Sequence, residues 1–246
     1  MALPRRYLSF FSIFFLSAIS LFAVPGAGGI QKQAGTSVKA VWMKGYADTK
    51  RELYLGVGKQ TPVAITPGNA NRGRQVFFNV GASTTVQLLT RKPAAVAGGA
   101  PTWAPVADIA WPAGSPAEVL LVLAAQPGGE RVRAVAFADD AKSFPPGTAR
   151  LANFTGTSLM ARVGKDVRKL DPGLSPLFPY PVLADPKVKT VPNFPLVLGV
   201  GEEVFFNGRI DAVAGSRTLI VLAPSPIEGR TPLVQSLLDV PPVPSK

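Results

Sequence analysis

Apolar residues along this chain come in short runs of five to nine, each closed by glycine or proline. Outside the first 27 residues no 3.6-residue period is sustained. The pattern predicts strands at 38–46, 52–57, 62–66, 75–80, 85–90, 106–111 and 118–124, and again at 132–138, 149–154, 159–163, 194–200, 203–207 and 218–222. Short strands at such regular intervals, with turn residues between them, point to a sandwich or barrel. No stretch reads as a helical crossover between parallel strands, so antiparallel pairing is expected. The 24 glycines and 25 prolines supply the turns. Pro67-Gly68, Pro127-Gly128, Pro146-Gly147 and Pro172-Gly173 each join a fixed φ to a permissive residue, and Asn207-Gly208 fits a two-residue hairpin turn. The expected fold is all-β, a mostly antiparallel, Ig-like β-sandwich.

The apolar pattern also recurs, which predicts two tandem related repeats. Leu53-Tyr54-Leu55-Gly56-Val57-Gly58-Lys59, then Pro67-Gly68 and Val122-Leu123-Ala124, find counterparts in Leu159-Met160-Ala161-Arg162-Val163-Gly164-Lys165, Pro172-Gly173 and Val221-Leu222-Ala223. Val-Phe-Phe-Asn occurs at 76–79 and again at 204–207. The expected organisation is one repeat over 36–128 and a second over 130–228, joined near Gly128-Gly129, with 93–105 a loop inside the first. Residues 229–246 form a C-terminal element. Thr231-Pro232 suits a helix start, a final strand fits equally well, and Pro241, Pro242 and Pro244 end any regular structure.

The one long apolar run lies at the start. Arg5 and Arg6 precede an apolar stretch over 8–24, followed by small residues at Ala23 and Gly26 to Gly29. Residues 1–27 therefore read as an export signal and place the rest outside the cytoplasm, in a periplasm, cell envelope or external medium. The same run, retained, would serve as an N-terminal anchor. With no cysteine after it, the leader cannot be that of a lipid-anchored protein.

Composition narrows the chemistry more than it narrows the fold. The chain has no histidine and no cysteine, which removes Ser-His-Asp and Cys-His nucleophiles, thiolate or imidazole metal ligation and every disulfide. The formal net charge is +11, and loss of Arg5 and Arg6 with the leader lowers it by two. The cations are scattered rather than blocked, so nucleic acid is an unlikely partner and a solvated basic surface is expected. The sharper reading of the charge is attraction to an anionic glycan or lipid surface, or to an envelope protein.

Carboxylate pairs are the remaining acid–base option. Asp139-Asp140 and Glu202-Glu203 are adjacent, and neighbours on a strand point to opposite faces. Asp166, Asp171 and Asp185 lie in loop-like context without calcium-loop spacing. No Ser-x-x-Lys occurs in the body of the chain, and Gly56-Val57-Gly58-Lys59 lacks the length of a phosphate loop. No catalytic residue, metal ligand or cofactor is assigned. The candidate ligand-binding residues are Trp103 and Trp111, since exposed aromatics on a β-surface stack on sugar rings; Trp42 reads as core. Asn153-Phe154-Thr155 matches a glycosylation acceptor.

The segment Ala149-Arg150-Leu151-Ala152-Asn153-Phe154, with Val163-Gly164-Lys165 and Leu170-Asp171-Pro172-Gly173 after it, resembles bacterial secreted β-sandwich repeat domains of uncharacterised function. The resemblance covers about 80 residues, implies the fold and the compartment, and carries over no site residue. The sequence thus describes an exported non-catalytic module that binds or supports in the envelope or outside the cell. Two alternatives stay open: a carbohydrate-active hydrolase using Asp and Glu, and a membrane-tethered component of an envelope complex.

Overall fold

The computed structural model describes residues 35–69, 71–94, 100–126, 128, 130–181, 194–210 and 212–240; the leader lies outside them. They are all-β, with no helix among them. The first eight strands are β1 (Thr36–Trp42), β2 (Leu53–Gly56), β3 (Val63–Ile65), β4 (Val76–Phe78), β5 (Thr85–Lys92), β6 (Thr102–Ala110), β7 (Glu118–Ala125) and β8 (Val132–Ala138). They form two sheets, ordered β4-β1-β7-β8 and β3-β2-β5-β6. The remaining strands are β9 (Thr148–Asn153), β10 (Leu159–Val163), β11 (Asp166–Leu170), β12 (Gly173–Leu174), β13 (Phe178–Pro179), β14 (Pro195–Val200), β15 (Glu203–Arg209), β16 (Arg217–Ala223) and β17 (Leu233–Asp239). Their sheets run β12-β9-β16-β17, with β13 also on β9, and β11-β10-β14-β15.

The strand order of the second half therefore follows that of the first. Pairing between the named strands is antiparallel except that β1 runs parallel to β7 and β9 parallel to β16. Of these central strands β7 and β16 carry unbroken apolar runs, as burial of both faces requires, while β1 and β9 are each interrupted by one cation, Lys39 and Arg150. On β1 and β7, Val38, Ala40, Trp42, Val119, Leu121 and Leu123 face the core shared with the β2/β5 sheet. Val41, Leu120, Val122 and Ala124 face the other way, onto Leu219, Val221 and Ala223 of β16, together with Phe137, Phe144 and Leu237. The opposite side of the second half packs Leu151, Ile220 and Leu222 on Leu159, Val163, Leu196 and Leu198. Four sheets thus enclose three cores, and the middle core joins the halves.

Several local expectations change. Gln126 N–H donates to Arg131 O at 3.0 Å and β7 pairs antiparallel with β8, so the stretch expected to join the halves lies within a hairpin, and the sheet of the first half continues to Ala138. Residues 102–105 belong to β6, although composition made them loop. Asn207-Gly208 lies inside β15, paired with Val197 and Leu196; the β14–β15 turn falls at Gly201, whose φ is +57°. Residues 233–239, open between helix and strand in the sequence, pair with β16 along their whole length.

Candidate functional site

Strand β6 carries one candidate tryptophan near its start and the other just past its end, so the two do not share a site. Trp103 is half-buried, lies opposite Arg91 on β5, and meets Tyr54 edge to face with ring centroids 4.6 Å apart. Trp111 packs against Phe78 at 6.1 Å and against the first core. It borders a groove of about 470 Å³ between loops 79–84 and 112–117, where no charged side chain contributes to the lining. Trp42 is only 1% exposed and belongs to the core.

The carboxylates sort by their partners. Asp140 turns away from its neighbour and accepts N–H bonds from Ser143 and Lys142, chiefly the first, which hold its carboxyl below the ordinary range. Glu202 and Glu203 are exposed at the β14–β15 turn. Asp166 pairs with Arg168 and Asp171 with Lys169, while Asp185 lies outside the described residues. No group of metal-ligating residues gathers among the described residues. Asn153 is 1% exposed, and its amide donates to Thr157 O and Leu170 O; a glycan has no access to it.

Carboxylates do converge at one place, where the two halves meet. The 67–74 loop presses on β1: Gly68 N–H donates to Ala40 O and Trp42 N–H to Gly68 O. A β-carbon on Gly73 would stand 2.5 Å from two carbonyl oxygens, and its φ is +65°, so only glycine closes the loop. That loop delivers Arg72 to Asp139, with Asp239 at 3.8 Å. Arg217 reaches Asp239 at 2.7 Å, Glu118 at 3.4 Å and Asp139 at 3.6 Å, donates to Asp139 O and Phe144 O, and lies over the Phe144 ring. Burial pushes the Asp139 carboxyl above its ordinary range against the pull of Arg72 and Arg217. Burial also opposes ionisation of Asp239, but Arg72 and Arg217 outweigh it and hold that carboxyl low. Asp139 is 1% exposed. The cluster ties the 67–74 loop, β7, residue 139, β16 and β17 together, and reads as a lock between the halves.

A second charged region is open to solvent. Segment 48–53, leading into β2, is bordered by three clefts of about 270, 490 and 340 Å³. Glu52, Arg91 and Pro93 line the first; Arg51, Lys92, Glu130 and Arg131 line the second; Asp48, Lys50 and Tyr54 line the third. Arg51 pairs with Asp48 at 3.1 Å, and Tyr54 Oη donates to Glu52 at 3.1 Å. Arg91, Lys92 and Arg131 are exposed and have no ion-pair partner among the described residues. Trp103 and Tyr54 thus stand beside the unpaired Arg91, and Lys92 and Arg131 line a neighbouring cleft. Sequence reasoning named Trp103 here and missed Tyr54, Arg91, Lys92 and Arg131. The only signal for them was basic residues flanking strand ends, and the pairing register that puts Arg91 opposite Trp103 is not written in composition.

No protein family matches the chain, and no curated protein matches it.

Proposed function

We propose that this chain is an exported, non-catalytic module that binds or supports in the cell envelope or outside the cell, built from two Ig-like sandwich units related by duplication. The matching strand order of the two halves supports the duplication, and the leader pattern supports export. The observation that carries the non-catalytic reading is the use made of the converging carboxylates. The raised one, Asp139, is enclosed where no substrate can touch it, and two arginines bind it. A general acid needs a raised pKa and contact with the scissile bond together.

One observation favours the hydrolase reading. Glu118 and Asp239 both line a hollow of about 210 Å³ and share Nη2 of Arg217 at 3.4 and 2.7 Å. Against it, Asp239 is held low, the wrong direction for an acid. The test is co-sedimentation of the protein, isolated from its own cells, with the insoluble envelope fraction of those cells, while released reducing ends are counted. Co-sedimentation with no sugar release is the expected result. Sugar release that Glu118→Gln abolishes would establish the hydrolase instead, and a protein left wholly in the supernatant would overturn the binding reading.

A further inference from the structure

We infer that the clefted end of the first half, around segment 48–53, binds an anionic polysaccharide. The inference rests on the binding-module reading above and names its ligand class. Two kinds of group meet there. The Trp103 and Tyr54 rings lie on the solvent side of the β2/β5/β6 sheet, where Arg91 is the cross-strand partner of Trp103. Arg91 shares the face of the rings and lines a cleft with Glu52, whereas Lys92, next along the strand, turns to the other face and lines a neighbouring cleft with Arg131 and Glu130; none of the three cations has an ion-pair partner among the described residues. An aromatic face accepts the apolar side of a sugar ring, and guanidinium pairs with carboxylate or sulfate oxygens in a fork that ammonium cannot match.

The surroundings select this ligand over the other anionic surfaces. Insertion into lipid needs exposed apolar side chains, yet the large exposed ones (Phe77, Met160, Val167, Leu174, Val200, Val204, Ile227, Leu238 and Val240) all lie elsewhere. A single-stranded nucleic acid needs successive aromatic platforms along a basic groove, and this end offers one aromatic pair. The second half supplies an internal contrast. On its edge strand β11 the basic residues Arg168 and Lys169 are each matched to a carboxylate, Asp166 and Asp171. Arg162 on β10 and Arg209 on β15 are exposed without an ion-pair partner among the described residues, so what marks the first half is the ring pair beside Arg91 rather than unpaired charge as such.

The test is affinity electrophoresis of the whole protein through gels containing polygalacturonate, dextran sulfate, neutral dextran or poly-dT, with flotation on phosphatidylglycerol vesicles alongside. Retardation by polygalacturonate or dextran sulfate at least about tenfold stronger than by dextran, equivalent to about 1.4 kcal/mol, is expected. Which of the two polymers binds more strongly tells carboxylate from sulfate as the recognised group. Trp103→Ala should weaken retardation about tenfold, on the scale of one lost stacking contact. The triple variant Arg91→Ala, Lys92→Ala, Arg131→Ala should abolish both the retardation and its sensitivity to salt. Lys165→Ala, in the second half, should change nothing. Arg91→Glu alters an exposed side chain only and keeps the test valid if Trp103→Ala fails to fold. Equal retardation by neutral and anionic polymers would overturn the inference. So would binding that survives the triple variant, or binding to poly-dT or vesicles as tight as to the polysaccharide. Co-sedimentation with envelope in the absence of any polysaccharide retardation would sink this inference and leave the binding-module reading standing.

Discussion

The two halves of this molecule share a strand order but not a surface, and the contrast shows where the fold leaves room for function. In both, the inner sheet holds the parallel pair and is covered on both faces, so its residues answer to packing. The outer sheets each have one free face. That of the first half carries Tyr54 and Trp103 beside the unpaired Arg91. That of the second bears aliphatic side chains, Met160 at 39%, Val167 at 61% and Val204 at 57% exposure, around the exposed Arg162, with the charges of β11 paired off. Two halves whose inner sheets are constrained by packing are free to differ only on their outer faces, which is where binding residues accumulate.

The lock between the halves offers the most damaging way to break this comparison. Asp139→Ala leaves Arg72 and Arg217 buried with one carboxylate fewer, and losing one member of such a group costs about 3–5 kcal/mol. Asp139→Asn keeps the shape and an acceptor for Arg72, so a smaller loss is expected. Urea unfolding of both variants checks this. A loss under about 1 kcal/mol for the alanine variant would place the cluster among surface pairs and remove it as a lock.

The middle core can be tested because every tryptophan lies in the first half, at 42, 103 and 111. Leu219→Ala, in the second half, empties a fully buried site in the joining core and should cost about 2–5 kcal/mol. If the halves unfold as one unit, the tryptophan fluorescence transition must move together with the far-ultraviolet circular dichroism transition. A fluorescence transition that stays at its wild-type position would mean the halves unfold separately.

Acidity should separate the lock from the carboxylates around it. Asp139 has a folded pKa above its ordinary 3.8, so the folded state takes up this proton first, and the group adds stability as pH falls from its folded value towards 3.8. Asp140, Asp171 and Asp239 are held below 3.8; their contribution is complete above that value and is lost as pH falls through their folded values. Thermal midpoints measured from pH 7 to pH 3 should show a mildly acidic rise that Asp139→Asn removes, followed by a fall below 3.8 that it retains. A variant profile that superimposes on the wild type would contradict the assignment.

Much of the fold was legible because strand periodicity and turn residues act locally. Leu53 and Leu159 open β2 and β10, which hold the same place in their sheets, and Leu123 and Leu222 occupy the last rungs of the two parallel ladders, opposite Trp42 and Asn153. Val-Phe-Phe-Asn misled, since 76–79 falls on an edge strand beside β1 and 204–207 on a strand beside β14. The parallel pairs were invisible, because an unbroken apolar run states that both faces are buried without naming the neighbour. The lock was invisible as well: Arg72, Asp139, Arg217 and Asp239 are far apart in the chain, and it takes the β16–β17 register to set Arg217 opposite Asp239 and the loop held on β1 to bring Arg72 to Asp139. At the clefted end the sequence revealed one tryptophan and hid the cations that distinguish it from any other half-buried ring.

The smallest expected effect addresses that tryptophan directly. Tyr54 and Trp103 touch edge to face at 4.6 Å, a geometry in which the positive rim of one ring meets the negative face of the other. A double-mutant cycle on Tyr54→Leu and Trp103→Leu, which keeps an apolar side chain at each site, should give a coupling of about 0.5–1.5 kcal/mol. Tyr54 also donates to Glu52, so Tyr54→Phe separates the ring from its hydroxyl and should retain most of the coupling. On the corresponding face of the second half Met160 and Val197 are aliphatic neighbours beside Arg162, and Met160→Ala with Val197→Ala should show weaker coupling there. If the two cycles agree in size, the aromatic pair is ordinary packing. Coupling confined to Tyr54 and Trp103 means the rings hold each other in place on the outer face of the sheet, as a preformed platform for a sugar ring requires.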